Sequence, residues 1–295
     1  FESQMLELLG QAEFEEFKEA INTPSRTSIR LNSAKTFSLN WANRSIPWSL
    51  TGYFLEERPS FTLDPALHAG AYYVQEASSM FIEHILHSLE IPKGIYLDLA
   101  AAPGGKSTLL SGYLGDEGML IANEVIQARA QILKENIVKW GLGNTVVTNN
   151  DPDHFEPLEG FFDLVLVDAP CSGEGMFRKD PQAREEWSID NVQLCSARQK
   201  RIMDKAGALV KAAGYLVYST CTFNDREYSR IKSGNCRWKD FLWVSFFPAF
   251  SSGGRFFYHR FAEIRRGLHP RTETDQGFQA SLPEGDFQQR IECIG

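Results

Sequence analysis

The sequence predicts a doubly wound α/β fold: a Rossmann-like parallel sheet preceded by a small α+β amino-terminal domain. Three observations carry that prediction. Between residues 91 and 223, short apolar runs alternate with amphipathic stretches, the pattern of a parallel sheet with crossover helices. A glycine-rich turn, Ala100-Ala101-Ala102-Pro103-Gly104-Gly105-Lys106, follows the first of these runs. Two cysteines fifty residues apart follow later runs, in Asp168-Ala169-Pro170-Cys171 and Ser219-Thr220-Cys221-Thr222. Open α/β sheets bind ligands beyond the carboxyl ends of their strands, so the turn and both thiols are expected at one edge.

Taken in order, the chain opens with an amphipathic helix carrying Met5, Leu6, Leu8, Leu9, Phe14 and Phe17. An extended piece covers 27–32, and the Pro-, Gly- and aromatic-rich stretch 41–65 reads as short strands and turns. From Val74 the pattern is helical, with Ile82, Ile85, Leu86 and Leu89 on one face. Strands are expected at 95–99, 119–123, 144–149, 162–168 and 214–219, and helices at 107–113, 126–140 and 193–211. Beyond about Asp225 periodicity is lost, although 255–261 reads as a late strand. The expected division is an amino-terminal domain over 1–90, the sheet domain over 91–262 and an irregular tail over 263–295.

Bulk properties narrow the class. A chain of 295 residues, 43% of them hydrophobic, has enough apolar surface for one large and one smaller core. No apolar run reaches the roughly eighteen residues that span a bilayer, and no signal peptide opens the chain, so the expectation is a cytoplasmic protein without a membrane role. Five cysteines with no CxxC pair and no zinc spacing are expected to be free thiols in a reducing compartment, with no bound metal. The net charge of −8 argues against indiscriminate coating of nucleic acid. A local basic cleft is still compatible with it.

The strand ends carry the chemistry. Small residues and Gly104-Gly105 let backbone approach a ligand closely before a helix begins. The turn is neither a Walker loop nor a dinucleotide fingerprint. The next strand ends at Glu124, where a carboxylate can accept from ribose hydroxyls, and the third ends at Asp151, able to accept from an adenine amino group. Acids at successive strand ends, beginning with Asp98, repel a phosphate-rich ligand and fit a cationic sulfonium. S-adenosylmethionine is the economical cofactor.

A lone cysteine is more often a small buried hydrophobe, and Cys195, Cys236 and Cys293 are read that way. Two at strand ends beside a cofactor turn point to covalent chemistry. A thiolate adding to carbon 6 of cytosine makes carbon 5 enamine-like and able to take a methyl group.

With these residues in view, 27–227 resembles the Nol/Nop/Sun family of RNA cytosine-carbon-5 methyltransferases, close to its bacterial ribosomal-RNA branch. The matching pieces are Gly70-Ala71-Tyr72-Tyr73-Val74-Gln75-Glu76-Ala77-Ser78-Ser79-Met80, Asp98 to Lys106, Asp168-Ala169-Pro170-Cys171-Ser172-Gly173-Glu174-Gly175 and Ser219 to Thr222. The resemblance implies that Cys221 is the nucleophile and that Cys171 assists release of the methylated RNA. It implies a cofactor pocket of Ala100, Ala101, Ala102, Pro103, Gly104, Gly105, Lys106, Glu124, Asp151 and Asp168, with Asp168 also near the target base. Lys106 is either a polar helper there or a solvated lysine in the first helical turn. The family's Asn-x-x-Glu-Asn-Glu stands here as Asn224-Asp225-Arg226-Glu227-Tyr228-Ser229, so the match fades at Tyr228 and the end beyond is divergent.

The function expected from this resemblance is 5-methylcytosine formation in RNA, ribosomal RNA foremost, by a monomer. A transfer-RNA methyltransferase and a catalytically impaired RNA-binding protein are the alternatives. The resemblance gives the amino-terminal domain an RNA-facing role, for which Arg26, Arg30, Tyr72 and Tyr73 are candidates. Arg178, Lys179 and Arg184 are placed to meet a phosphate backbone near the target base, unless they form a solvated helix face.

Overall fold

A computed structural model describes residues 1–36, 44–224, 227 and 242–245. Helix α1 (Glu2–Asn22), kinked where Gly10 takes φ 75°, is followed by a small antiparallel sheet of β1 (Ser28–Leu31), β2 (Arg44–Ser45), β3 (Gly52–Phe54) and β4 (Tyr72–Val74), in the order β2-β3-β1-β4. The three-residue β4 interrupts a stretch expected to turn helical at Val74. It is held extended by β1, with Ile29 opposite Val74 and Leu31 opposite Tyr72. A short helix α2 (Pro65–His68) precedes β4, and α3 (Phe81–Ser88) follows it.

The large sheet is parallel throughout. Its strands are β5 (Ile95–Asp98), β6 (Met119–Asn123), β7 (Thr145–Thr148), β8 (Phe162–Asp168), β9 (Val210–Thr220) and β10 (Leu242–Ser245). Their order is β10-β9-β8-β5-β6-β7. The chain winds outward from β5 to β7, then returns to β8 on the other side of β5. That reversal is the switch point at which such sheets open a ligand crevice. Helices α4 (Gly105–Leu114), α5 (Gln127–Trp140), α6 (Pro181–Glu186) and α7 (Ile189–Leu209) lie in the connections.

Alternation along the strands separates two cores. Tyr96, Leu120, Leu164, Leu166 and Val217 pack with Leu86, Leu109, Leu110 and Leu133 from α3, α4 and α5. Leu97, Val165, Val167, Leu216 and Tyr218 point the other way, into Phe155, Met203, Ala206 and Leu209. Burial on both faces explains why these strands read as continuous apolar runs.

Several boundaries differ from expectation, and one strand was not expected. Helix α4 begins at Gly105, because Gly104 takes the positive φ of 112° that turns strand into helix. The long helix α7 ends at Leu209, so Lys211 belongs to β9, whose first residues bulge between Phe162 and Leu164 of β8. Strand β10 lies in the region where periodicity is lost; its backbone pairs with β9, Leu242 opposite Val217 and Ser245 opposite Thr220. The late strand expected at 255–261, the tail, Cys236 and Cys293 fall outside the described residues. Among the described residues no helix is long and apolar enough to cross a membrane.

Candidate active site

The two cysteines meet at the carboxyl edge of the large sheet. Their strands β8 and β9 are neighbours, with Asp168 opposite Ser219. The Cys171 and Cys221 Sγ atoms are 3.1 Å apart, Cys221 exposed and Cys171 half-buried. Gly175 makes this approach possible. A Cβ there would stand 2.6 Å from the Cys221 carbonyl oxygen and 2.7 Å from its Cβ, closer than real side chains come. The Pro170 carbonyl accepts from Gln199 Nε2 at 2.9 Å, which anchors the first cysteine loop to α7.

The thiols share their ionisation. Cys171 is lowered chiefly by the hydrogen bond from Cys221, with burial opposing. Cys221 is raised by that same bond and by the negative charge of Cys171 and Asp168. The pair therefore releases its first proton more readily than a lone thiol, and the second is held strongly.

Lys106 donates to Asp168 Oδ2 at 2.7 Å, and Ser219 Oγ donates to Asp168 Oδ1 at 2.6 Å. The Lys106 side chain is 15% exposed, so the reading of a solvated lysine is wrong. Burial is the largest single influence and works against its charge, but Asp168, Asp98 and Cys221 together outweigh it and the ammonium is raised.

On the other side of Lys106 lies the glycine turn. Its carbonyls are held by α5: Arg129 Nη2 donates to Ala102 O at 2.8 Å and Asn136 Nδ2 to Pro103 O at 2.8 Å. Ala101 N donates to Asn123 O at 2.8 Å. Asp98, counted among the strand-end acids, is not in the pocket that the resemblance implies. It is wholly buried; Oδ2 accepts from Ser107 Oγ at 2.7 Å, and Oδ1 has no hydrogen-bond partner. Burial pushes its carboxyl up to about 7. Its strand-final position was the available signal.

Glu124 is equally buried. Oε1 accepts from the Ile126 amide at 3.0 Å, whereas Oε2 has only an ion-pair contact with Arg129 at 3.3 Å, without hydrogen-bond geometry. Asp151 caps the following 3-10 turn, accepting from the Asp153 amide at 3.1 Å. Ala100 to Lys106, Glu124, Asp151 and Asp168 thus lie at the ends of adjacent strands. Two buried acceptor oxygens without donors suit a ligand that brings hydroxyl or ammonium groups.

Of the residues expected to contact RNA, Arg26 stays exposed, and the others are engaged within the protein. Arg30 is buried: Nε donates to Gln75 Oε1 at 2.8 Å, Nη2 donates to Thr108 Oγ1 at 2.6 Å, and the guanidinium lies 4.5 Å from the Trp140 ring centroid. Tyr72 is buried with its hydroxyl donating to Asp64, and the Tyr73 hydroxyl donates to Pro103 O at 3.2 Å. Arg178 donates to the Thr23 and Pro24 carbonyls, Arg184 donates to those of Phe177 and Ile21, and Lys179 pairs with Glu76. These three fasten the Cys171 loop to the end of α1 and to Glu76. Helix α1 itself packs Phe14, Phe17 and Ile21 against Phe177 and Phe223, which follow the two cysteines. Cys195 is buried in α7, as read, and burial pushes its thiol up to about 11.

Comparison with known proteins gives this arrangement its lineage. The family model of the 16S rRNA methyltransferase RsmB/F matches residues 89–240, strands β5 to β9 and both cysteine loops. The chain belongs to the RsmB/F family. The model for the N-terminal domain of RsmF matches residues 1–77. A ribosomal RNA small subunit methyltransferase F of Erwinia tasmaniensis is 37% identical over 250 residues, 79% of this chain and 52% of that protein. The chain spans about half the length of the curated relatives it matches. A methyltransferase homolog protein from Pyrococcus horikoshii is 28% identical with a TM-score of 0.65, covering 78% of this chain and 77% of that one. NSun6 from the same organism, at 18% identity and a TM-score of 0.69 over 90% of this chain and 95% of that one, shares the fold.

Proposed function

We propose that this RsmB/F member transfers the methyl group of S-adenosylmethionine to carbon 5 of cytosine in ribosomal RNA. Cys221 is the nucleophile at carbon 6 and Cys171 assists release. The observation that carries this reading is the 3.1 Å contact between the two sulfurs, beside a crevice lined with carboxylates.

The residues suit the cofactor. Asp98 Oδ1 and Glu124 Oε2 are buried acceptors without donors, as the hydroxyls and ammonium of S-adenosylmethionine require. Ala100 to Lys106 and Asp151 complete the pocket, and Gly104 gives backbone access. When bound, the cofactor supplies a methyl group on a positively charged sulfur.

The protein's own part begins at the thiols. Passing the Cys221 proton to Cys171 leaves Cys221 as the thiolate, with the Lys106 ammonium nearby. Addition to carbon 6 requires the cytosine to be unstacked into the crevice. In this reading Asp168, held by Lys106 and Ser219, hydrogen-bonds that base. After methylation, a base takes the carbon 5 proton and the electron pair left behind expels Cys221 from carbon 6 as the thiolate, which restores the ring. A cytoplasmic setting, where thiols stay reduced, keeps so close a pair functional.

The test is methyl transfer to small-subunit ribosomal RNA stripped of this modification, followed by digestion to nucleosides. Labelled 5-methylcytidine is expected with the native chain and none with Cys221→Ala. Label in another nucleoside, or undiminished 5-methylcytidine with Cys221→Ala, would overturn the reading.

A further inference from the structure

Behind the thiols lies a pair of buried carboxyl groups that the reaction above does not use. Glu174 and Glu227 are each 0% exposed, and each belongs to the loop of one cysteine while gripping the loop of the other. Glu174, three residues past Cys171, accepts from the Phe223 amide at 2.7 Å. Glu227, past Cys221, accepts from the Ser172 amide, 3.3 Å from both its oxygens, and from Gln199 Nε2 at 2.8 Å. Thr222 stands between them, its Oγ1 3.0 Å from Glu174 Oε2 and 3.0 Å from Glu227 Oε1.

Counting protons decides the charge. A hydroxyl has one proton, and an ionised carboxylate only accepts. Thr222 Oγ1 can donate to one of the two acids, so the other contact needs a carboxyl that donates. The hydroxyl also accepts from the Asn224 amide at 3.1 Å, and Ser172 Oγ is 3.3 Å away. Among the described residues no cation pairs with either acid, and two bare charges buried this close would repel strongly. Glu174 accepts from three further donors, the Phe223 amide, Trp187 Nε1 at 2.8 Å and Asn224 Nδ2 at 3.3 Å. Among the described residues Glu227 has, besides Thr222, only the Ser172 amide and Gln199 as donors. The better-solvated acid keeps the charge.

We propose that Glu174 and Glu227 hold a single proton between them through Thr222, with Glu227 neutral and Glu174 ionised, as a cross-brace that positions Cys171 and Cys221. Both residues are positioning residues. This builds on Cys171 and Cys221 being the reacting pair. The neutral state also matters to that pair. Cys171, Cys195 and Tyr218 face Glu227, and a charge there opposes their ionisation, beside the Cys221 hydrogen bond at the first and burial at the other two. Burial itself favours the neutral form of each acid.

The test reads protonation rather than turnover, so it is decided separately from the methyl-transfer assay. The infrared spectrum of the full chain at neutral pH should contain the carbonyl band of a protonated carboxyl. That band should shift when glutamate carries a heavy carbon isotope, which separates it from Asp98, and it should vanish in Glu227→Gln. Iodoacetamide alkylation of the cysteine pair against pH is the second readout. Replacing a neutral acid by a neutral amide should move its midpoint by less than ~0.3 pH unit, whereas removing a real charge would lower it by about one unit. No glutamate-dependent band, or a midpoint lowered by about a unit in Glu227→Gln, overturns the proposal. If Glu227→Gln does not fold, the isotope shift in the native chain decides alone.

Discussion

Arg30 on β1 of the small sheet donates to Thr108 on α4 of the large domain at 2.6 Å, across seventy-eight residues of sequence. The same Nη2 lies 3.2 Å from Gly105 O, so the arginine holds the first turn of the helix that follows the glycine turn. Removing it in Arg30→Ala leaves Gln75 and Thr108 short of a partner, each buried group costing about 1–3 kcal/mol. A fall in the urea midpoint at constant slope is expected, with S-adenosylmethionine affinity down about tenfold. Arg30→Lys keeps the charge but not the planar fork, and is expected to recover only part of either loss.

Asp98 gives the pocket a pH dependence with a definite sign. Its folded carboxyl sits at about 7, raised from 3.8 by burial, with Asp168 adding and Ser107 and Lys106 opposing. Between those values the folded chain binds more protons than the unfolded one. This group's contribution to stability is thus full below about 4 and is lost as pH rises through about 7. A ligand that donates to Oδ1 favours the ionised form, so cofactor binding should release a proton and tighten as pH rises through 7. Calorimetry in two buffers of different ionisation enthalpy measures this directly. Asp98→Asn should abolish the proton release and weaken binding.

Gly175 is expected to be intolerant of even one methyl group. The Cβ of Gly175→Ala would stand 2.7 Å from Cys221 Cβ, so one loop must move. A displacement near 1 Å at a reacting atom costs about a hundredfold in rate. Single-turnover methyl transfer should fall by that order while cofactor affinity stays within ~2-fold.

Helix α1 should act as a clasp on the cysteine loops. Arg184 Nε donates to Phe177 O at 2.9 Å and its Nη2 to Ile21 O at 3.1 Å, while the Phe17 and Phe223 rings lie 5.2 Å apart. Arg184→Ala is expected to raise hydrogen exchange over α1 and Phe223 together, with exchange in β5 and β8 unchanged. Unchanged α1 exchange would contradict this.

The sheet was legible because two-sided burial writes each strand as an apolar run. Strands β6 and β8 span the residues expected of them, and the acids and thiols at strand ends follow from that register. Long-range partners were not legible. Arg30 on an extended segment reads as a phosphate contact, and only the fold brings Thr108 and Trp140 to it. Arg178 and Arg184 looked like a basic patch, yet backbone carbonyls of α1 and its end take their donors. Asp98 could have been included from its strand-final position. Strand β4, three residues long, exists through its pairing with β1 rather than through its own pattern.

The central claim, covalent catalysis by Cys221 with Cys171 needed for release, is tested most directly by trapping. Cys171→Ala is incubated with ribosomal RNA and S-adenosylmethionine, run on a denaturing gel, and the attached residue is mapped by peptide mass. The account predicts an RNA–protein adduct at Cys221 that accumulates in Cys171→Ala and is absent from Cys171→Ala/Cys221→Ala. An adduct that survives loss of Cys221, or maps to another residue, would contradict it.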